Sequence, residues 1–321
     1  MASFRVIVRT VGACVLLASA GVAPAQDYPV RPVRIVTGAP GSGAEFAARV
    51  LAQGLAAPLG QPVVVEPRAT GGATVFGDIV ARAQPDGYTL MIIGATLWTG
   101  PLFRKVPYDA LRDFAPISQL AESPNILVIA PGLPVNSVRD LIDLAKARPG
   151  ALNYSTSGIG ASPHLAAELF KAMARVDISH IPFKGASAAV IGVLGGEVQL
   201  SFASAASVSA HIQSGRLKAI AVTTAKPSAL FPTLPTVGAT VPGYDAGGAT
   251  GFFAPAHTPA AIINRLNREA AALLARPEFR EKFLATGLEP VASPPGVLAA
   301  TLKSDTLKWG KVIKDAQIQL Q

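Results

Sequence analysis

The chain has a single cysteine, Cys14, and it lies in an N-terminal stretch that reads as a removable leader. The exported protein is therefore expected to lack a disulfide, a thiol nucleophile and a thiolate metal ligand. Histidine is also scarce: His164, His180, His211 and His257 are too scattered to suggest a metal set, and no cofactor is expected. There is no G-x-S-x-G elbow, no Walker loop and no H-E-x-x-H pair. Ser201, Ser204, Ser207 and Ser209 have no paired base in sight and read as small packing residues beside a strand. No segment beyond the leader approaches the roughly 20 apolar residues needed to span a bilayer. The basic residues are dispersed apart from Lys303, Lys308, Lys311 and Lys314, which read as one solvated helix face. A nucleic-acid partner would need a concentrated patch, so none is expected.

The leader itself is well marked. Arg5 and Arg9 form a basic start, residues 11–18 an apolar run, and Ala23-Pro24-Ala25 a cleavage site, which predicts cleavage after Ala25. The lipoprotein alternative, Val11-Gly12-Ala13-Cys14, would leave almost no apolar run after Arg9. Losing Arg5 and Arg9 lowers the formal charge from +8 to +6. The remaining length suits about two domains, each with a core sufficient without cross-links.

Strand-like and helix-like segments alternate almost throughout. Residues 34–37, 63–66, 88–93, 126–130, 152–155, 178–182, 198–202, 217–223 and 251–254 read as strands. Helical stripes lie between them, such as Val138/Leu141/Ile142/Ala145 and Leu165/Leu169/Phe170/Met173. This alternation predicts an α/β fold of parallel sheets with helices on both faces. Ser137 with Asp140, Ser162 before Pro163 and Thr258 before Pro259 read as helix N-caps, and Gly215 and Gly287 as C-terminal stops. Turn-forming residues around Pro124 and over 241–248 mark two crossings between domains. The expected division is a leader over 1–25, a first domain over 26–124 plus 247–321, and a second over 125–246. Ligands of such sheets sit beyond the carboxyl ends of the strands.

Two glycine loops join a strand to a helix, one in each expected domain. The first runs through Pro40, Gly41, Ser42, Gly43, Ala44 and Glu45. The second contains Ser157, Gly158, Gly160, Ala161, Ser162 and His164. Helix N-termini offer unpaired N–H groups and partial positive charge, so two of them across a cleft suit a small carboxylate held without a cationic side chain. Blander readings stay open: Ser42 to Glu45 spells an S-x-x-E capping box, and His164 could be a polar first-turn residue. A dinucleotide site fits poorly, because Pro163 replaces the third glycine and Asp177 precedes its strand.

Ordered motifs over essentially the whole mature stretch then become recognisable. They include Tyr28-Pro29-Val30-Arg31-Pro32, Gln84-Pro85-Asp86-Gly87-Tyr88, His180-Ile181-Pro182-Phe183-Lys184-Gly185 and Ala254-Pro255-Ala256-His257-Thr258-Pro259. The chain resembles the periplasmic solute-binding proteins of the tripartite tricarboxylate transporter family, the Bug receptors. That resemblance implies a two-lobed periplasmic-binding-protein-like α/β fold, each lobe a sheet flanked by helices, closing on a small carboxylate in the cleft. It also implies that the two glycine loops grip the carboxylate through amides, hydroxyls and water, with Phe183 nearby. Three departures stand out: Glu45 where the family usually has aspartate, Ala249 where tryptophan is frequent, and Pro67 where asparagine precedes Arg68.

The expected function is that of a non-catalytic periplasmic receptor, monomeric, taking a small organic acid to membrane permease subunits of the tripartite tricarboxylate type. A ligand-sensing partner of a membrane sensor kinase would use the same site. A secreted hydrolase is the remaining alternative, disfavoured by the missing nucleophile–base pair.

Overall fold

A computed structural model describes residues 28–38, 42–68, 72–158, 160–183 and 185–318. The expected leader lies outside the described residues, as do Pro40 and Gly41. Among the described residues, eleven strands form two sheets. The first holds β1 (Val33–Thr37), β2 (Val63–Pro67), β3 (Thr89–Gly94), β4 (Phe114–Ser123), β10 (Gly248–Pro255) and β11 (Glu289–Pro290), in the order β11-β4-β10-β3-β1-β2. The second holds β5 (Asn125–Ile129), β6 (Asn153–Thr156), β7 (Ser179–Pro182), β8 (Leu200–Ser204) and β9 (Lys218–Val222), in the order β7-β6-β8-β5-β9.

Both sheets are mixed, which corrects the expectation of parallel sheets. β10 runs antiparallel to β3 and β4, and β5 antiparallel to β8 and β9. The reason lies in the crossings. Apart from the two-residue β11, which runs antiparallel to β4, strands that begin and end within one lobe point their carboxyl ends at the cleft. β5 and β10 enter from the opposite lobe, so they begin at the cleft and run the other way. Hydrophobic alternation cannot report that direction.

Helices cover both faces of each sheet. In the first lobe Ile35, Leu90 and Phe252 point to one side, where they meet Leu51 and Leu55 of α1 (Gly43–Leu59) and Leu266 of the helix Ala260–Leu274. Val36, Met91 and Phe253 point to the other, against Phe76, Trp98, Leu298 and Leu302. The second lobe repeats the pattern: Leu127 and Ile129 face Leu165 and Phe170, while Ile126 and Val128 face Val190 and Val208. Period-two alternation across a doubly covered sheet explains why these strands read as nearly continuous apolar runs. Burying each such side chain contributes about 1.5–3 kcal/mol.

The last helix, Pro295–Asp315, joins both cores: Leu298 and Leu302 pack in the first lobe, and Trp309 and Val312 in the second. Its buried Asp305 accepts from Trp98 Nε1 at 3.2 Å and pairs with Lys308 at 3.0 Å. Lys308 also donates to the Asp245 carbonyl at the return crossing, at 3.0 Å. That lysine is therefore engaged in structure and not simply on a solvated face.

Candidate functional site

The first glycine loop delivers α1 with its N-terminus at the carboxyl end of β1. Ser42 is the N-cap, and its Oγ accepts from the Glu45 amide at 3.2 Å. The Glu45 side chain is buried and pairs with Arg49 one turn further along. The capping half of the S-x-x-E reading thus holds through the Glu45 backbone.

The second loop leads into α5 (Ser162–Ala174), labelled after α1, α2 (Gly72–Ala81), α3 (Thr96–Thr99) and α4 (Val138–Ala147). Its N-cap is Ala161, not Ser162 as expected, and Pro163 sits in the first turn. The physical reason is His164. Its Nδ1 accepts from the Gly160 amide at 3.0 Å, which ties down the loop ahead of the helix without a serine cap. Gly158 and Gly160 take φ of 139° and 77°, a region that favours glycine, so the chain can turn there. Thr258 is likewise not a cap: it donates to the Pro255 carbonyl at 2.8 Å and the following helix begins at Ala260. Ser137 does cap, accepting from the Asp140 amide at 3.1 Å.

The released Ser162 hydroxyl is positioned from the crossing. Asn125, the buried first residue of β5, donates its Nδ2 to Ser162 Oγ at 2.8 Å. Its own amide donates to Thr223 Oγ1 at 3.0 Å. Because Ser162 Oγ accepts from Asn125, its proton remains available to an outside acceptor.

Between the lobes lies a cavity of about 650 Å³. Ser42, Gly43 and Ala44 line it from the first loop, and Ser157, Gly160, Ala161 and Ser162 from the second. The crossings supply Pro124, Asn125, Gly247 and Gly248. The other described residues predicted from sequence do not line it. Phe183 packs into the second lobe, where a Cβ on Gly192 would come within 2.6 Å of its ring. Gly158, Glu45 and His164 shape the loops without lining the cavity. His164 is buried and stacks on His180 with ring centroids 4.2 Å apart, on the side of Tyr154. Burial, reinforced by the neighbouring His180, pulls its pKa down to about 4, so the imidazole is neutral and can accept from Gly160.

Sequence reasoning missed Arg104. It follows the turn Gly100–Leu102 and is the one cationic side chain on the cavity lining among the described residues, with no acidic residue beside it there. A signal existed: this turn follows α3, immediately after β3, at the same end of the sheet as the first glycine loop. Ala249 also lines the cavity, with a small side chain.

Comparison with known proteins agrees with this geometry. The family model described as "Tripartite tricarboxylate transporter family receptor" matches residues 47–318. Protein BugT of Bordetella pertussis is 35% identical over 317 residues, covering 96% of this chain and 97% of its own length. R. palustris Rpa4515 with adipate is 33% identical with a TM-score of 0.74, over 91% of this chain and 99% of that one. The periplasmic binding protein BugD is 32% identical with a TM-score of 0.70, over 92% of this chain and 100% of that one. The chain therefore belongs to the tripartite tricarboxylate transporter receptor family, whose members are periplasmic solute-binding receptors and not enzymes.

Proposed function

We propose that this protein is exported, loses its leader after Ala25, and binds a small carboxylate between two lobes for uptake by permease subunits of the tripartite tricarboxylate type. The lobes comprise 26–124 plus 247–321 and 125–246, and they close about the crossings near Pro124 and Gly243. One observation carries the reading: the N-terminal ends of α1 and α5, one from each sheet, line the same cavity, and no acidic residue lines it among the described residues. Each end offers amides and partial positive charge, and Ser42, Ser157 and Ser162 add hydroxyls. The adipate bound to R. palustris Rpa4515 supports a carboxylate.

Because Ser162 is not a cap, its loss tests binding without a helix penalty. A charge-assisted hydrogen bond contributes roughly 1.5–3 kcal/mol, so Ser162→Ala should weaken carboxylate binding by about ten- to a hundredfold. Titration calorimetry with a carboxylate series measures this. Unchanged affinity in Ser162→Ala would place the anion elsewhere.

A further inference from the structure

The two-residue strand β11 closes the outer edge of the first sheet, where it pairs with β4. Its register sets Glu289 directly opposite Glu122, and like charges so placed destabilise an antiparallel ladder. Asp245, at the return crossing, adds a third carboxylate. Burial first, then Asp245 and Glu289 beside it, holds the Glu122 carboxyl above its usual range. Within the first lobe Gln119 donates to Glu122 at 3.4 Å, a long contact from a neutral group.

Relief comes from the second lobe. The turn after β9 donates twice to Glu289: the Ser228 hydroxyl to Oε1, and the Ala229 amide to Oε2 at 3.1 Å. Lys226, on the same turn, acts on Glu122 as a nearby cation. Both sides of this contact are anchored. Ser228 is buried, and its Oγ accepts from the Leu230 and Phe231 amides at 3.1 and 3.3 Å. The Leu230 and Phe231 side chains pack on the second lobe's core. Glu289 is fixed by its ladder to β4, and that segment is tied again where Ser293 bonds Ser118 and Gln119. Leu288, the residue before Glu289, lines the cavity beside Gly43 at the start of α1. Movement at this contact is therefore passed to the cavity wall.

We propose that Glu289 and the Ser228–Ala229 turn form a latch between the lobes, which favours the arrangement in which both helix ends line the cavity. This rests on the two-lobed receptor reading above, and Glu289 acts as a positioning residue outside the cavity lining. Parting the lobes here takes two donors from a carboxylate and leaves it opposite Glu122. Each latch bond therefore biases the equilibrium between lobe arrangements, and ligand affinity follows the population of the competent one.

The test is an interlobe distance measured on the full mature protein without ligand. The mature stretch has no cysteine, so Ala57→Cys and Lys146→Cys, both at exposed positions, carry one spin label on each lobe. Pulsed electron resonance then gives the distance distribution. Glu289→Gln puts an amide N–H₂ where an acceptor is needed and leaves the Ser228 turn intact. It should raise the ratio of separated to approached lobes by about tenfold. Ser228→Ala should act in the same direction, and the double variant should go no more than about twofold beyond the larger single effect, because both changes break one contact. Glu197→Gln, an exposed carboxylate of the second lobe, should leave the distances unchanged. Distributions in Glu289→Gln and Ser228→Ala that match the wild type, or effects that simply add in the double variant, would overturn the latch. Because no ligand enters this measurement, that result would leave the carboxylate reading standing; the latter fails separately, on the titration of Ser162→Ala.

Discussion

Acidification should unlock the second glycine loop through His164. The imidazole is 4% exposed, stacks on His180, and accepts from Gly160 through Nδ1. The surrounding groups are fixed as well: Tyr154 donates to Glu168 at 2.5 Å, Lys171 to Glu168 at 2.7 Å, and His180 contacts Thr156 Oγ1 at 2.7 Å. Burial lowers the His164 pKa from 6.5 to about 4, whereas in the unfolded chain it returns to the ordinary value. Between those values the unfolded state binds more protons than the folded one, so stability rises with pH and is lost as the pH falls. The contribution is fully present above about pH 6.5 and is lost progressively down to about pH 4, to a total of about 3 kcal/mol. About 2 kcal/mol of that should be gone between about pH 7.5 and about pH 5. Carboxylates elsewhere also respond to acid, so the informative quantity is a difference. Denaturant unfolding of wild type and His164→Gln at both pH values gives it: the gap between them should narrow by about 2 kcal/mol on acidification. Stability curves that run parallel across this range would refute a depressed His164.

Other consequences follow from particular contacts. Gly287, with φ of 76°, faces Ala206 across the lobes, and a Cβ there would lie 2.9 Å from the Ala206 amide nitrogen. Gly287→Val should hold the lobes apart and weaken ligand affinity, as titration would show, while leaving most of the unfolding free energy in place. Phe170 is fully buried against Phe202 and Tyr244, so Phe170→Ala should cost about 3–5 kcal/mol in denaturant unfolding. Ser137→Ala, which removes the cap of α4, should cost about 1 kcal/mol in the same assay. Closure about the crossings should lower the radius of gyration when a bound carboxylate saturates the protein, and scattering curves that overlay would contradict it.

Most of the strands were legible because doubly covered sheets demand apolar runs, and both glycine loops were legible because strand-to-helix turns demand glycine. The strand β4 was not. It carries Pro116 and buried polar residues, Ser118 and Gln119, whose needs are met by Ser293: Ser118 donates to its carbonyl at 2.9 Å and the Gln119 amide to its Oγ at 3.0 Å. Such long-range partners leave no periodic trace. The direction of β5 and β10 was invisible for the same reason, since it depends on which lobe the chain comes from. Within the site, the loops and Ser42, Ser157 and Ser162 could be picked out locally. His164's service to Gly160 could not, because it depends on burial, and Arg104 was signalled only by its place after β3, not by its own irregular turn.

The central claim is that a carboxylate occupies the cleft between the two helix N-termini. Native protein purified under mild conditions, then denatured, releases whatever small molecule it carries, and mass spectrometry of the released fraction identifies it. A stoichiometric organic acid, displaced in Ser162→Ala, is the predicted result. A stoichiometric molecule without an acidic group, such as a neutral sugar or an amine, would contradict the account.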